Sequence, residues 1–251
     1  MKVNSGKAIV IFLLVCSYFS PAHAQINVPK HEIGLGVGMF VYQGDVTPEK
    51  LGAFKTPGFA INLFYNRILS RSFSLRTNLA HGRLMADDGN YDNPAFRAQR
   101  NFRFTTRTTE ISELLVWNIL GNNYGDRQIL SPYIFGGIGL SSLRITRDWS
   151  RINYDYFADD PKITEGLPAD TLHALPNTIP VIPIGIGVRY SVSDKVSIMA
   201  EGSYRITFSD YIDGFSKAAN PKLNDYYMNF SIGLIYTFGK TNSLACPTMK
   251  Y

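Results

Sequence analysis

The stretch Pro183–Phe215, PIGIGVRYSVSDKVSIMAEGSYRITFSDYIDGF, constrains the fold more than any other part of the chain. From Ile184 the apolar side chains Ile184, Ile186, Val188 and Tyr190 fall on even positions, while Gly185, Gly187, Arg189 and Ser191 fill the odd ones. Ser193-Asp194-Lys195 supplies a tight turn. The return arm sets Val196, Ile198, Ala200, Tyr204, Ile206 and Phe208 against Ser197, Met199, Glu201, Ser203, Arg205, Thr207 and Ser209. A period of two is a strand with one apolar and one mostly polar face. Each arm is long enough to cross a bilayer as a tilted strand. Two structures satisfy such a hairpin: a soluble sheet with its apolar face inward, or a membrane barrel with lipid outside and a polar lumen.

The remaining strands decide between them. Alternation marks Glu32–Tyr42, Gly58–Ile68, Phe73 to about Met85, Arg103–Leu120, Pro132 to about Thr146 and Tyr226–Phe238, giving eight strands with the hairpin. Their apolar, aromatic-rich faces oppose Gly, Asn, Ser and Arg. The connections over 43–57, 87–102, 147–179 and 214–225 are long, those over 69–72 and 192–195 are short, and 121–131 is intermediate. An even strand count with short periplasmic turns and long outer loops is the pattern of bacterial outer-membrane barrels, with both barrel ends on the periplasmic side. A soluble eight-stranded barrel would instead turn its apolar face inward. The expected fold is therefore all-β, an eight-stranded antiparallel outer-membrane barrel over residues 25–238, followed by a periplasmic tail over 239–251. Two points resist the pattern. Glu113 falls on the apolar face of the fourth strand, and the cluster Gly136-Gly137-Ile138-Gly139 leaves the facing of the fifth undecided.

Residues 1–24 read as a secretory signal: Lys2 and Lys7, an apolar run over Ala8–Phe19 too short to span a bilayer, and Ala22-His23-Ala24 before Gln25. A lipoprotein signal at Cys16 is the rival, weakened by the bulky Val15 before it. Without this segment the net charge falls from +5 to +3, too small and scattered to imply nucleic acid. Cys246 is then the single cysteine, so no internal disulfide and no cysteine metal site is expected. The 16 Phe and 15 Tyr suit both strands and interfacial girdles.

The expected lumen-facing charges are Arg76, Glu110, Arg189, Glu201 and Arg205. An eight-stranded interior is just wide enough to be filled by side chains, and buried charges there must pair. A structural plug is the plain reading and a selective pore the sharper one. His81 near the outer end of strand three, with Asp87 and Asp88 beyond it, imitates a hydrolase rim, although no spacing supplies a nucleophile. The loop acids Asp87, Asp88, Asp159, Asp160, Asp210 and Asp213 read as solvated, or as contacts for divalent cations or for lipopolysaccharide bridged by them. No catalytic, metal or cofactor residues are assigned, and no cofactor is expected.

Glu32-Ile33-Gly34 through Tyr42-Gln43-Gly44-Asp45, Phe73-Ser74-Leu75-Arg76, Pro132–Gly139, Pro183–Tyr190, Ser209-Asp210-Tyr211-Ile212-Asp213 and Cys246-Pro247 together resemble the Bacteroidota family of small outer-membrane β-barrels that includes PorG of the type IX secretion system. The segment carrying Asp210, Tyr211 and Asp213 is the most distinctive, and it is expected at the outer rim. The resemblance implies a non-enzymatic barrel that anchors an envelope complex. Its expected partners are outer-membrane lipid and periplasmic secretion-ring lipoprotein subunits, met through the turn over 121–131 or the Cys246 tail. A narrow channel for ions or small solutes is the alternative, and a lipid- or peptide-modifying hydrolase a third reading.

Overall fold

The computed structural model describes residues 31–123, 130–220 and 224–239. The signal segment, Cys246 and the tail beyond Gly239 lie outside the described residues, as does part of the 121–131 turn.

Eight strands close into one antiparallel barrel in sequence order. They are β1 (His31–Gln43), β2 (Gly58–Ile68), β3 (Phe73–Asp87), β4 (Arg103–Asn118), β5 (Leu130–Asp148), β6 (Thr178–Ser191), β7 (Val196–Thr207) and β8 (Tyr226–Phe238). Closure pairs His31 with Phe238 and continues in register to Gln43 with Tyr226. No sheet edge is left, as a backbone surrounded by lipid requires.

Period-two alternation holds around the barrel, and the outward face is apolar. Leu35, Phe59, Leu63, Ile111, Ile138, Ile186 and Leu234 are all exposed. Outward aromatics collect at both ends: Phe73, Trp117, Tyr190 and Tyr236 at the short-turn end, Phe59 and Phe208 at the other. An apolar band between two aromatic girdles is the surface that a bilayer covers. Strand five resolves with Gly137 and Gly139 inward, where a side chain would strike the β4 backbone, and Ile138 and Leu140 outward. Glu113 does face lipid, and its Oε2 accepts a hydrogen bond from the Thr77 hydroxyl across the strand pair at 2.8 Å.

The inward glycines have a specific use. Gly34 lies opposite Phe64, Gly187 opposite Tyr133 and Gly185 opposite Phe135. In each case the neighbouring ring occupies the space a Cβ would need. Aromatic rings thus fold back over glycines on the adjacent strand and fill the lumen.

The long links differ from the expectation of irregular loop. The β3–β4 link holds a single 3₁₀ turn, Asp88–Asn90, and the short helix α1 (Phe96–Arg100). The β5–β6 link holds a π-helical turn, Lys162–Gly166, running into α2 (Leu167–Leu172). Strand β6 begins at Thr178, earlier than the alternation suggested, because Pro180 and Pro183 obscure its start. A cluster including Phe102, Phe157, Leu167, Ile212 and Phe215 unites these links into one apolar cap.

Candidate functional site: a plugged lumen with a sealed mouth

The lumen charges form two buried networks. In the periplasmic half, Arg189 donates two hydrogen bonds to Glu32, each 2.8 Å. Asn66 joins this pair to the next, donating to Glu32 at 2.8 Å and accepting from Arg76 Nε at 2.9 Å. Arg76 then reaches Glu201 at 2.5 Å, lies 4.0 Å from the Phe64 ring centroid and is 1% exposed. The Tyr133 hydroxyl donates to the same Glu201 oxygen at 2.6 Å.

In the outer half, Arg205 pairs with Glu110 at 3.1 Å. Glu110 also accepts from the Tyr227 hydroxyl at 2.8 Å and from Ser112 at 3.2 Å. Met199, Ile235 and Phe64 form a buried apolar cluster within the same lumen. All five expected lumen charges face inward, but Arg189, Glu201 and Arg205 do not pair with one another. Each takes a separate partner, and Glu32 was missed. Its signal lay in the sequence: it shares the even, inward register of Gly34 and Gly36.

The segment carrying Asp210, Tyr211 and Asp213 does not stand on an exposed rim. It folds into the barrel mouth, where Ile212, Asp213 and Phe215 are fully buried. Thr106 donates to the Ile212 carbonyl at 2.6 Å, and Phe215 stacks on Phe102 with centroids 4.2 Å apart. Asp225, just before β8, accepts from the backbone N–H groups of Ile212 and Asp213 at 3.0 and 3.4 Å. Asp213 caps the next turn by accepting from Phe215 N at 2.8 Å. Asp170 of α2 accepts from the N–H groups of Ser216, Lys217 and Ala218, tying helix and plug together.

Tyr42 stands between two of these carboxyls. Its hydroxyl oxygen lies 2.6 Å from Asp213 Oδ2 and 2.6 Å from Asp225 Oδ1. A phenol has one proton to donate. The second short contact therefore needs a proton on one of the two carboxyls. Burial pushes both well above the usual carboxylate range, with the neighbouring acids adding to the shift. Nearby, both Asp210 oxygens are buried, with the Ser216 side chain as the one group that favours its charged form. Burial first, and then Asp45 and Asp170, raise that carboxyl to about 6.

Outside the mouth, a cleft of about 990 Å³ opens between the 43–50 segment, α1 and the 156–163 segment. Arg97 and Arg100 at its wall are both held at 2.6 Å by the fully buried Asp88, and both donate to the Asp45 carbonyl at 3.0 Å. His81 and Asp87 are not brought together. The His81 ring contacts Thr109 at 2.9 Å on the barrel exterior, and Asp87 pairs with Arg103 at 2.7 Å. Of the other loop acids, Asp159 and Asp160 remain in the outer 149–161 segment, where an Asp160 oxygen accepts from Lys162 N at 3.0 Å. No grouping of acids, histidines or cysteines fit to hold a metal occurs among the described residues.

A closed eight-stranded barrel, apolar outside and ion-paired within, defines an outer-membrane β-barrel protein. The chain matches the model for the domain of unknown function DUF6089 over residues 7–248, and it belongs to that family. Among solved structures it is similar to Ail of Yersinia pestis in complex with sucrose octasulfate, at 11% identity and a TM-score of 0.44, covering 83% of this chain and 98% of that one. It is similar also to the Neisserial surface protein NspA, at 13% identity and a TM-score of 0.45, covering 83% and 97%. OprG of Pseudomonas aeruginosa aligns at 10% identity and a TM-score of 0.43, covering 85% and 98%. No curated protein matches the sequence.

Proposed function

We propose that this protein is a non-conducting, non-enzymatic anchor that holds an envelope complex at the outer membrane. One observation carries the reading: the lumen is filled by the ion pairs Glu32–Arg189, Arg76–Glu201 and Glu110–Arg205, and the outer mouth is closed by the buried Ile212–Phe215 segment. A barrel so filled offers no polar path for a solute. What it can present to other molecules is its outer cap, its lipid-facing wall and its periplasmic turns. The sequence resemblance to the family that includes PorG supports a periplasmic partner, with type IX secretion or gliding as the setting. Lipoprotein subunits of a periplasmic ring are then the partners in question, met through the 192–195 turn, the 121–131 turn or the Cys246 tail.

Planar-bilayer recording tests the closed lumen. The purified full-length protein should add no unitary conductance to the bilayer, and sustained openings sensitive to Arg189→Gln would replace the anchor with a channel. A photo-crosslinking residue at Ser193, used in native outer membranes, tests the partner. Recovery of periplasmic subunits supports the anchor, and recovery of phospholipid alone overturns it.

A further inference from the structure

The barrel wall carries a charge arrangement that the anchor reading does not use. Register places Arg83 of β3 directly opposite Arg107 of β4, and Arg107 directly opposite Arg144 of β5. All three face outward and are exposed. Directly opposed residues on one face of a sheet sit about 5 Å apart at Cβ, and like charges so placed repel. Among the described residues none of the three has an ion pair or a side-chain hydrogen bond.

A second charged rung lies four residues further out along each strand. There Arg103 lies between Asp87 and Asp148 in the same three strands, opposite charges alternate, and Arg103 binds Asp87 at 2.7 Å. That rung neutralises itself. The arginine rung does not, so its counter-charge has to come from outside the chain. Hydroxyl-bearing residues flank it, Thr105 and Thr146 on one side and Thr109 and Ser142 on the other.

Depth identifies the source of the counter-charge. Each arginine stands ten residues along its own strand from the periplasmic girdle: Phe73 to Arg83, Trp117 to Arg107, Ile134 to Arg144. At about 3.3 Å per residue and a tilt of about 40°, ten residues rise about 25 Å, the height of the apolar band of such barrels. The arginines therefore sit at the outer boundary of the hydrocarbon, at the level of headgroup phosphates. Guanidinium groups bind phosphate oxygens bidentately and remain charged at that boundary.

We infer that Arg83, Arg107 and Arg144 form a binding site for the phosphorylated headgroup of an outer-leaflet lipid, fixed in the bilayer by its acyl chains. The site recognises phosphate, so a glycolipid of the lipid A type satisfies it and a free anion in solution lacks the anchoring chains. The full-length protein is placed in phosphatidylcholine nanodiscs doped with lipid A carrying its phosphates, or with the same lipid dephosphorylated, and co-retained lipid is measured by native mass spectrometry. The wild type should retain the phosphorylated form selectively. R83Q/R107Q/R144Q should weaken retention roughly 100-fold, about a factor of five per arginine near a charged lipid surface. Arg67→Gln, an exposed outward arginine at the periplasmic end of β2, should leave retention unchanged. Unaltered retention in the triple variant overturns the site, provided heat-modifiable gel migration shows the barrel folded. Full competition by inorganic phosphate at millimolar concentration overturns the lipid as its ligand.

Discussion

Replacing Glu110 by Gln tests whether the lumen is held by its ion pairs. Glu110 is fully buried and Arg205 is 3% exposed, so neither charge is solvated when its partner goes. Breaking a buried pair from one side costs about 3–5 kcal/mol. The two sides differ in what remains. Without the carboxylate, Arg205 keeps its Ser203 contact, while its positive charge cannot be discharged. Without Arg205, Glu110 keeps the Tyr227 and Ser112 hydroxyls as donors. Glu110→Gln should thus cost the full ~3–5 kcal/mol, and Arg205→Met about 1–3 kcal/mol. The double variant E110Q/R205M removes both charges and should come within about 2 kcal/mol of wild type. The singles together would exceed the double by about 2 kcal/mol or more, which is the coupling of the pair. Urea-dependent folding into phosphatidylcholine vesicles, read by the fluorescence of the two tryptophans, Trp117 and Trp149, measures each value. With a urea slope of about 2 kcal/mol per molar, Glu110→Gln should move the midpoint by about 2 M. A shift below about 0.3 M, or a double variant equal to the sum of the singles, would show that the charges do not hold the lumen.

Three further outcomes follow from the same contacts. Asp210, Asp213 and Asp225 all have folded-state carboxyl pKa values raised above the unfolded range, so their contribution is fully present below the unfolded value near 3.8 and is lost as pH rises through the folded ones, about 6 for Asp210. Amides of the 209–219 segment should accordingly be better protected from hydrogen exchange at pH 5 than at pH 8, after correction for intrinsic rates, and equal protection would contradict the shared proton at Tyr42. Asp213→Asn supplies an N–H where that proton is needed, so it should reduce this pH dependence to the part carried by Asp210. Gly187→Ala places a Cβ 2.4 Å from the Tyr133 ring, which also holds Glu201, so it should destabilise the barrel by about 1–3 kcal/mol in the same urea assay.

The barrel was legible because lipid outside and side chains inside impose a strict period of two, and that period survives in the sequence wherever strands are unbroken. Its largest boundary error, beyond shifts of about two residues at the ends of β3, β4 and β5, falls at Pro180 and Pro183, which carry no N–H for the ladder yet sit within β6. Facing alone also placed Arg76, Glu110, Arg189, Glu201 and Arg205 in the lumen. Pairing was less accessible, because it depends on how residues from non-adjacent strands meet across a closed interior. Glu32 reaches Arg189 from β1 to β6, and Arg76 reaches Glu201 from β3 to β7. Period two says which side a residue faces and is silent on what stands opposite it across the lumen.

The mouth shows the limit from another direction. Ser209-Asp210-Tyr211-Ile212-Asp213 is acidic and follows a strand, and such a segment reads as a solvated rim. Its burial is made possible by residues far away in sequence: Tyr42 at the end of β1, Thr106 in β4 and Asp170 in α2. Asp225 alone was open to inference, because it extends the inward register of Tyr227 and Asn229 by one step. Three carboxyls taken out of water are costly unless protons or N–H groups meet them. Here backbone N–H groups serve Asp225 and Asp170, and a retained proton serves the Tyr42 triad. Such an arrangement contributes little as a device for stability. It acts as a specificity element, because only the closed mouth satisfies these acids, and any opening that leaves them buried and unprotonated is disfavoured. The paired lumen charges and the buried mouth segment are thus two independent features of one barrel, and the proposed anchor reading rests on both.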